Sequence, residues 1–226
     1  KDYSGAISDY TKSIQIKSNN IVAYYNRALA RFKLKDYTGA IFDYTKIIEL
    51  DPDYIDAYNA RGKIKYDLKD YSGAISDFTK AIDIVASYLH MHAYGNYYYF
   101  KNELGVSNFT LKIKPGISVK REEIYRNRGL AKRYFKDYSG AISDFTKAIE
   151  LDSIESDYYR NRAVVMEDLK DYSGAIADYT KAIELDPMNS DLYRNRALVQ
   201  EDVKDYSGAI ADYTKEMELD PMNSDL

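Results

Sequence analysis

The string Lys-Asp-Tyr-(Ser/Thr)-Gly-Ala-Ile begins at Lys1, Lys35, Lys69, Lys136, Lys170 and Lys204, at steps of 34, 34, 67, 34 and 34. A recurrence at this period means a row of small units whose stability comes mainly from packing on their neighbours. The step of 67 is two periods less one residue, so a degenerate copy belongs between Lys69 and Lys136. Lys101-Asn102-Glu103-Leu104-Gly105-Val106-Ser107-Asn108-Phe109-Thr110 supplies it once one apolar residue is deleted. The chain therefore reads as one array without a separate central domain.

Apolar spacing within a period is helical. Tyr37, Ala40, Ile41, Tyr44, Ile47 and Ile48 make one face, and Tyr24, Arg27, Ala28, Arg31 and Phe32 the preceding one. Two antiparallel helices per period follow. Asp36, Asp70, Asp137, Asp171 and Asp205 stand where the second helix needs an N-cap, and Asp51-Pro52, Asp186-Pro187 and Asp220-Pro221 close it. Gly at 39, 73, 140, 174 and 208 costs up to about 1 kcal/mol relative to Ala in that helix. The divergent copy is expected to keep two helices, Ser87–Lys101 and Asn102–Ile113, followed by a loop through Pro115–Arg121.

Composition removes several kinds of function. There is no Cys, which excludes disulfides, thiolate zinc sites and thiol nucleophiles. The two histidines, His90 and His92, point about 200° apart on a helix and cannot share a metal there. Potential Ser and carboxylate groups recur in every copy without a distinct cluster, so no catalysis and no cofactor is expected. With 32 Lys+Arg against 36 Asp+Glu and no basic cluster, nucleic acid is not an expected partner. Without a long apolar run, neither is a membrane span. The expectation is a soluble chain, with the cytoplasm favoured.

The repeat resembles the tetratricopeptide family. Its fourth-place aromatic is Tyr24, Tyr58, Tyr125, Tyr159 and Tyr193, and its small eighth residue is Ala28, Gly62, Gly129, Ala163 and Ala197. The small twentieth residue is Ala40, Ala74, Ala141, Ala175 and Ala209, and the following aromatic is Tyr44, Phe78, Phe145, Tyr179 and Tyr213. The resemblance implies an all-α, right-handed α-solenoid of antiparallel helix pairs. The units are expected at residues 21–54, 55–86, a divergent 87–121, 122–155, 156–189 and 190–223, with 1–20 a lone second helix and 224–226 the start of another unit. On this reading the natural chain continues on both sides, and both ends expose apolar stripes, Tyr3, Ala6, Ile7 and Tyr10 at one and Ile210 to Met217 at the other. Weak end-to-end self-association is the corresponding expectation.

The family's seventh-place Leu is replaced by Arg27, Arg61, Arg128, Arg162 and Arg196, matched by Asp43, Asp77, Asp144, Asp178 and Asp212 on the second helix. An Arg–Asp pair between helices is expected in each unit; unpaired solvated charges are the alternative. Glu216 stands where other units have Ala, so the last helix should pack less well.

In this family the first helices line a concave, ligand-binding side. Its expected peptide-binding residues here are Tyr25, Asn26, Arg126, Asn127, Arg160, Asn161, Arg194 and Asn195. A row of Asn can pair with both N–H and C=O of an extended peptide. The row is similar to the asparagine ladder of O-linked N-acetylglucosamine transferase. A full carboxylate clamp is not supported, because the Lys it needs is replaced by Val22, Asp56, Glu123, Asp157 and Asp191. Farther along the later helices, Glu167, Asp168, Glu201 and Asp202 band the groove in charge, which suits a ligand of mixed charge. A protein or peptide partner is one expectation; the alternative is a spacer or self-assembling array, with Asn and Arg serving only as helix surface.

Overall fold

The structure is a computed structural model and describes residues 2–90 and 120–221, the side chains of Leu89 and His90 excepted. Among these residues there are eleven α-helices and no strand. They are α1 (Tyr3–Ile16), α2 (Ile21–Lys33), α3 (Tyr37–Leu50), α4 (Ile55–Asp67) and α5 (Tyr71–His90), then α6 (Arg121–Tyr134), α7 (Tyr138–Leu151), α8 (Ser156–Asp168), α9 (Tyr172–Leu185), α10 (Ser190–Asp202) and α11 (Tyr206–Leu219). The chain divides into two compact units, Lys1–Ile124 and Tyr125–Leu226. In the first, each helix from α1 to α5 packs on the next; in the second, α7 to α11 do the same. No helix among the described residues is long and apolar enough to cross a membrane.

One Asp per repeat both ends a helix and starts the next. The Asp36 N–H donates to the Arg31 carbonyl at 2.9 Å, and the Lys35 N–H donates to Phe32 at 2.9 Å, which closes α2. The Asp36 carboxylate then accepts the Gly39 N–H at 2.9 Å and caps α3. Asp70, Asp137, Asp171 and Asp205 repeat both bonds. This closure forces Lys35, Lys69, Lys136, Lys170 and Lys204 into the left-handed region, with φ from 61 to 66°. The capping geometry also explains the glycine. A Cβ on Gly39 would stand 2.2 Å from Asp36 Oδ2 and 2.9 Å from Arg31 Cδ.

The core is a series of contacts between small residues and rings. Ala28, Ala40 and Tyr44 are buried together between α2 and α3, and Ala163, Ala175 and Tyr179 between α8 and α9. Where the partner ring is Phe78, the small residue shrinks to Gly62, whose Cβ would sit 2.8 Å from that ring. Larger residues at these points overpack.

Two sequence expectations meet a different outcome. Helix α5 runs unbroken past the unit boundary expected at 86/87, through Ile84-Val85-Ala86-Ser87. Arg121, expected in a loop, opens α6. The rest of the divergent copy, with His92, the His90 side chain and residues 94–119, lies outside the described residues, as do residues 224–226. Helix α11, which has no described helix after it, buries fewer residues than an internal second helix. It buries Ala209 and Asp212, whereas α9 buries Ala175, Asp178, Tyr179, Ala182 and Ile183. Tyr206, Ile210 and Met217 are exposed, while Tyr3, Ala6, Ile7 and Tyr10 are half-buried.

Candidate functional site

The recurring Arg is structural and fixes how each first helix is turned. Arg27 donates through Nε and Nη2 to Asp43 at 3.0 and 2.6 Å. The same two-pronged pair joins Arg61 to Asp77, Arg128 to Asp144, Arg162 to Asp178 and Arg196 to Asp212, at 2.7 to 2.9 Å. Hydrogen bonding to Asp178 and Asp212 raises the pKa of Arg162 and Arg196. A third arm, not foreseen from sequence, reaches the preceding repeat. Nη1 of Arg27, Arg61, Arg162 and Arg196 donates to Thr11, Thr45, Thr146 and Thr180 at 2.9 to 3.0 Å. Thr11, Thr45 and Thr180 spend their own proton on the carbonyl one turn back, which leaves a lone pair for the guanidinium. The signal for this contact was present, since Thr recurs four residues after the core Ala-Ile in nearly every copy.

With the seventh residue turned inward, the fifth, sixth, ninth and twelfth turn outward. In the first unit this face is partly closed. Tyr25 packs edge-on to Tyr44 at 5.8 Å and against Tyr54 at 6.1 Å, and burial raises the pKa of its hydroxyl. Asn26 beside it is half-buried, and Asp56 and Asn59 of the next first helix are buried.

The second unit carries the rest of the expected row on α6, α8 and α10. Asp157 sits 2.8 Å from Arg160 on its own helix and 3.7 Å from Arg126 on α6, so one carboxylate serves two guanidiniums. Arg194 lies 3.8 Å from Glu216 of α11. Asn127 is buried, Asn161 and Asn195 are half-buried, and Arg194 is exposed. Buried Nε atoms of Arg126 and Arg160, and the buried Nδ2 of Asn161, have no acceptor. Such donors cost free energy until something accepts from them.

A turn farther along lies an apolar strip of half-buried Leu130 and Val164 and exposed Leu198. Beyond it the face is acidic. Asp168 pairs with Arg133 of α6 at 2.7 Å, and Glu167 accepts from the Tyr179 hydroxyl. Burial raises the pKa of Glu167, opposed by that bond and by Arg133, with Asp168 and Asp202 adding to the rise. Glu201 and Asp202 are exposed. The second unit's face thus presents unpartnered donors, then an apolar strip, then carboxylates.

Known proteins place this architecture. Models described as "Tetratricopeptide repeat" match residues 21–54 and 55–85, and one described as "TPR repeat" matches 168–203. No curated protein matches the sequence. Among solved structures the fold is similar to YrrB, described as a TPR protein with an unusual peptide-binding site. That match has a TM-score of 0.66 and 17% identity, covering 94% of this chain and 93% of that one. MamA from Desulfovibrio magneticus RS-1 is similar at a TM-score of 0.70 and 14% identity, over 91% and 97% of the two chains. PilF from Pseudomonas aeruginosa is similar at 0.64 and 15%, over 98% and 95%. Tetratricopeptide arrays serve generally as protein-interaction scaffolds. The neighbours share the fold, and the matched repeats make the chain a member of the tetratricopeptide repeat family.

Proposed function

We propose that the chain is a non-catalytic scaffold whose first-helix face binds an extended peptide segment of a partner protein. One observation carries this reading: Arg126, Arg160 and Asn161, on neighbouring first helices, hold buried donors without acceptors. The carbonyls of an extended backbone supply acceptors at regular spacing whatever the side chains are. Replacing Arg160, Asn161, Arg194 and Asn195 together by Ala should abolish peptide capture from a random library. The melting temperature should hardly fall, since Arg160 and Asn161 give up buried donors that have no acceptor and Arg194 is exposed. Unchanged capture would sink the reading.

A second reading, self-association with another copy, is favoured by the exposed Tyr206, Ile210 and Met217 of α11. Sedimentation that is independent of concentration would exclude it.

A further inference from the structure

We infer that the peptide held on the second unit carries Lys or Arg side chains, which cross the apolar strip and end on Glu167, Glu201 and Asp202. This rests on the peptide-binding reading and adds the chemistry of the ligand. The donors occupy the fifth and sixth places of each first helix, and the carboxylates the twelfth and thirteenth. Seven residues separate the rails, about 10 Å along the helix axis at ~1.5 Å per residue. A backbone bound at the donor rail needs a long side chain to reach the other. Lys and Arg have that length, and their aliphatic stems suit the surface of Leu130, Val164 and Leu198 between the rails.

Charge decides between a cationic and an acidic ligand. On the donor side the guanidiniums already have carboxylates near them, Asp157 beside Arg126 and Arg160, and Glu216 beside Arg194. What they lack there is neutral acceptors for individual N–H groups, which peptide carbonyls supply. The far side is the reverse. Arg133 is paired with Asp168 and also attracts Glu167, while among the described residues no salt bridge joins Glu201 or Asp202 to a cation. Glu167 also feels Asp168 and Asp202 as like charges, against the Tyr179 bond and Arg133. An acidic side chain would meet like charge there, and a basic one relieves it.

The test uses the whole chain and three fluorescein-labelled peptides of about twelve residues, long enough to cross three helices packed at roughly 10 Å. They are repeats of Lys-Ser, Gln-Ser and Glu-Ser, followed by fluorescence anisotropy. The Lys-Ser peptide should bind about tenfold more tightly than Gln-Ser, since three exposed charge pairs each contribute a few-fold. Glu-Ser should bind least. In the E167Q/E201Q/D202N variant the preference for Lys-Ser should vanish while Gln-Ser binding persists. The E150Q/E184Q variant, altered on second helices, should behave like the parent. Equal binding of Lys-Ser and Gln-Ser, both lost in R160A/N161A, overturns the cationic ligand and leaves the peptide reading standing. A Lys-Ser preference that survives E167Q/E201Q/D202N, or is lost in E150Q/E184Q, also overturns it. Lys-Ser binding unaffected by R160A/N161A overturns the backbone-binding reading, and no binding of any peptide overturns both.

Discussion

Replacing Asp43 by Ala lowers the stability of the chain by about 3–5 kcal/mol, the range for stranding a buried charge. Asp43 is fully buried and takes both prongs of Arg27, and Arg31 adds a third bond at 2.8 Å. Without the carboxylate two guanidiniums one turn apart on α2 lose their shared counter-charge on α3, although Arg31 keeps the Gly39 carbonyl and Asp36. Neither can turn to water freely, because Arg27 is also held by Thr11 and lies over the Tyr24 ring. The loss should be smaller at Asp178. There the eleventh-place residue is Met166 rather than a cation, so only Arg162 is stranded. Replacing Arg162 with Met and Asp178 with Leu together should be far milder than Asp178→Ala alone, because no charge remains to be desolvated. Urea unfolding followed by circular dichroism measures all three. Equal losses for Asp43→Ala and Asp178→Ala would argue that the cations at the eleventh place contribute nothing.

Replacing Lys35, Lys69, Lys136, Lys170 and Lys204 together by Gly should raise stability by about 2–5 kcal/mol. Each Lys holds a positive φ, which costs an L-residue roughly 1–2 kcal/mol. Glycine removes that cost and returns part of it as chain entropy in the unfolded state, for a net gain of up to about 1 kcal/mol per turn. All five side chains are exposed, so little packing is lost. The matching Lys→Ala series keeps the Cβ and should give no gain. A gain from Ala equal to that from Gly would show that backbone strain is not the cause.

The period, the helix pairs, the Asp caps and the Arg–Asp pairs were all legible in the sequence, because each is a local rule repeated in register. The caps needed only Asp three residues before Gly, and the pairs needed Arg and Asp 16 residues apart on helices already known to touch. The reach of Arg27 to Thr11 left only an indirect trace in the sequence, the recurring Thr, because the contact itself depends on how neighbouring units stack. The strained Lys35 was hidden for another reason. Lys gives no turn signal, and only the tight closure onto Asp36 imposes its φ. The continuation of α5 past 86 was not legible either, since α1 and α7 also lack Asp-Pro after their last turn and yet stop at Ile16 and Leu151. At the candidate site the row of Asn and Arg could be read, but not that Asp157 is shared between Arg126 and Arg160. Nor could sequence show that Asp56 and Asn59 are buried.

An extended peptide held by the amide and guanidinium donors of the α6, α8 and α10 face, as proposed, has a direct spectroscopic signature. Side-chain amide resonances of Asn127, Asn161 and Asn195 report on that face directly. Titrating a library-selected peptide into isotope-labelled protein should shift the Asn161 and Asn195 side-chain amides and the Arg126 and Arg160 Nε–H signals. Signals from Asn19 and Asn20, in the α1–α2 turn, should stay in place. Saturable binding that leaves the Asn161 amide and both Arg Nε–H signals unmoved would show that the peptide lies elsewhere.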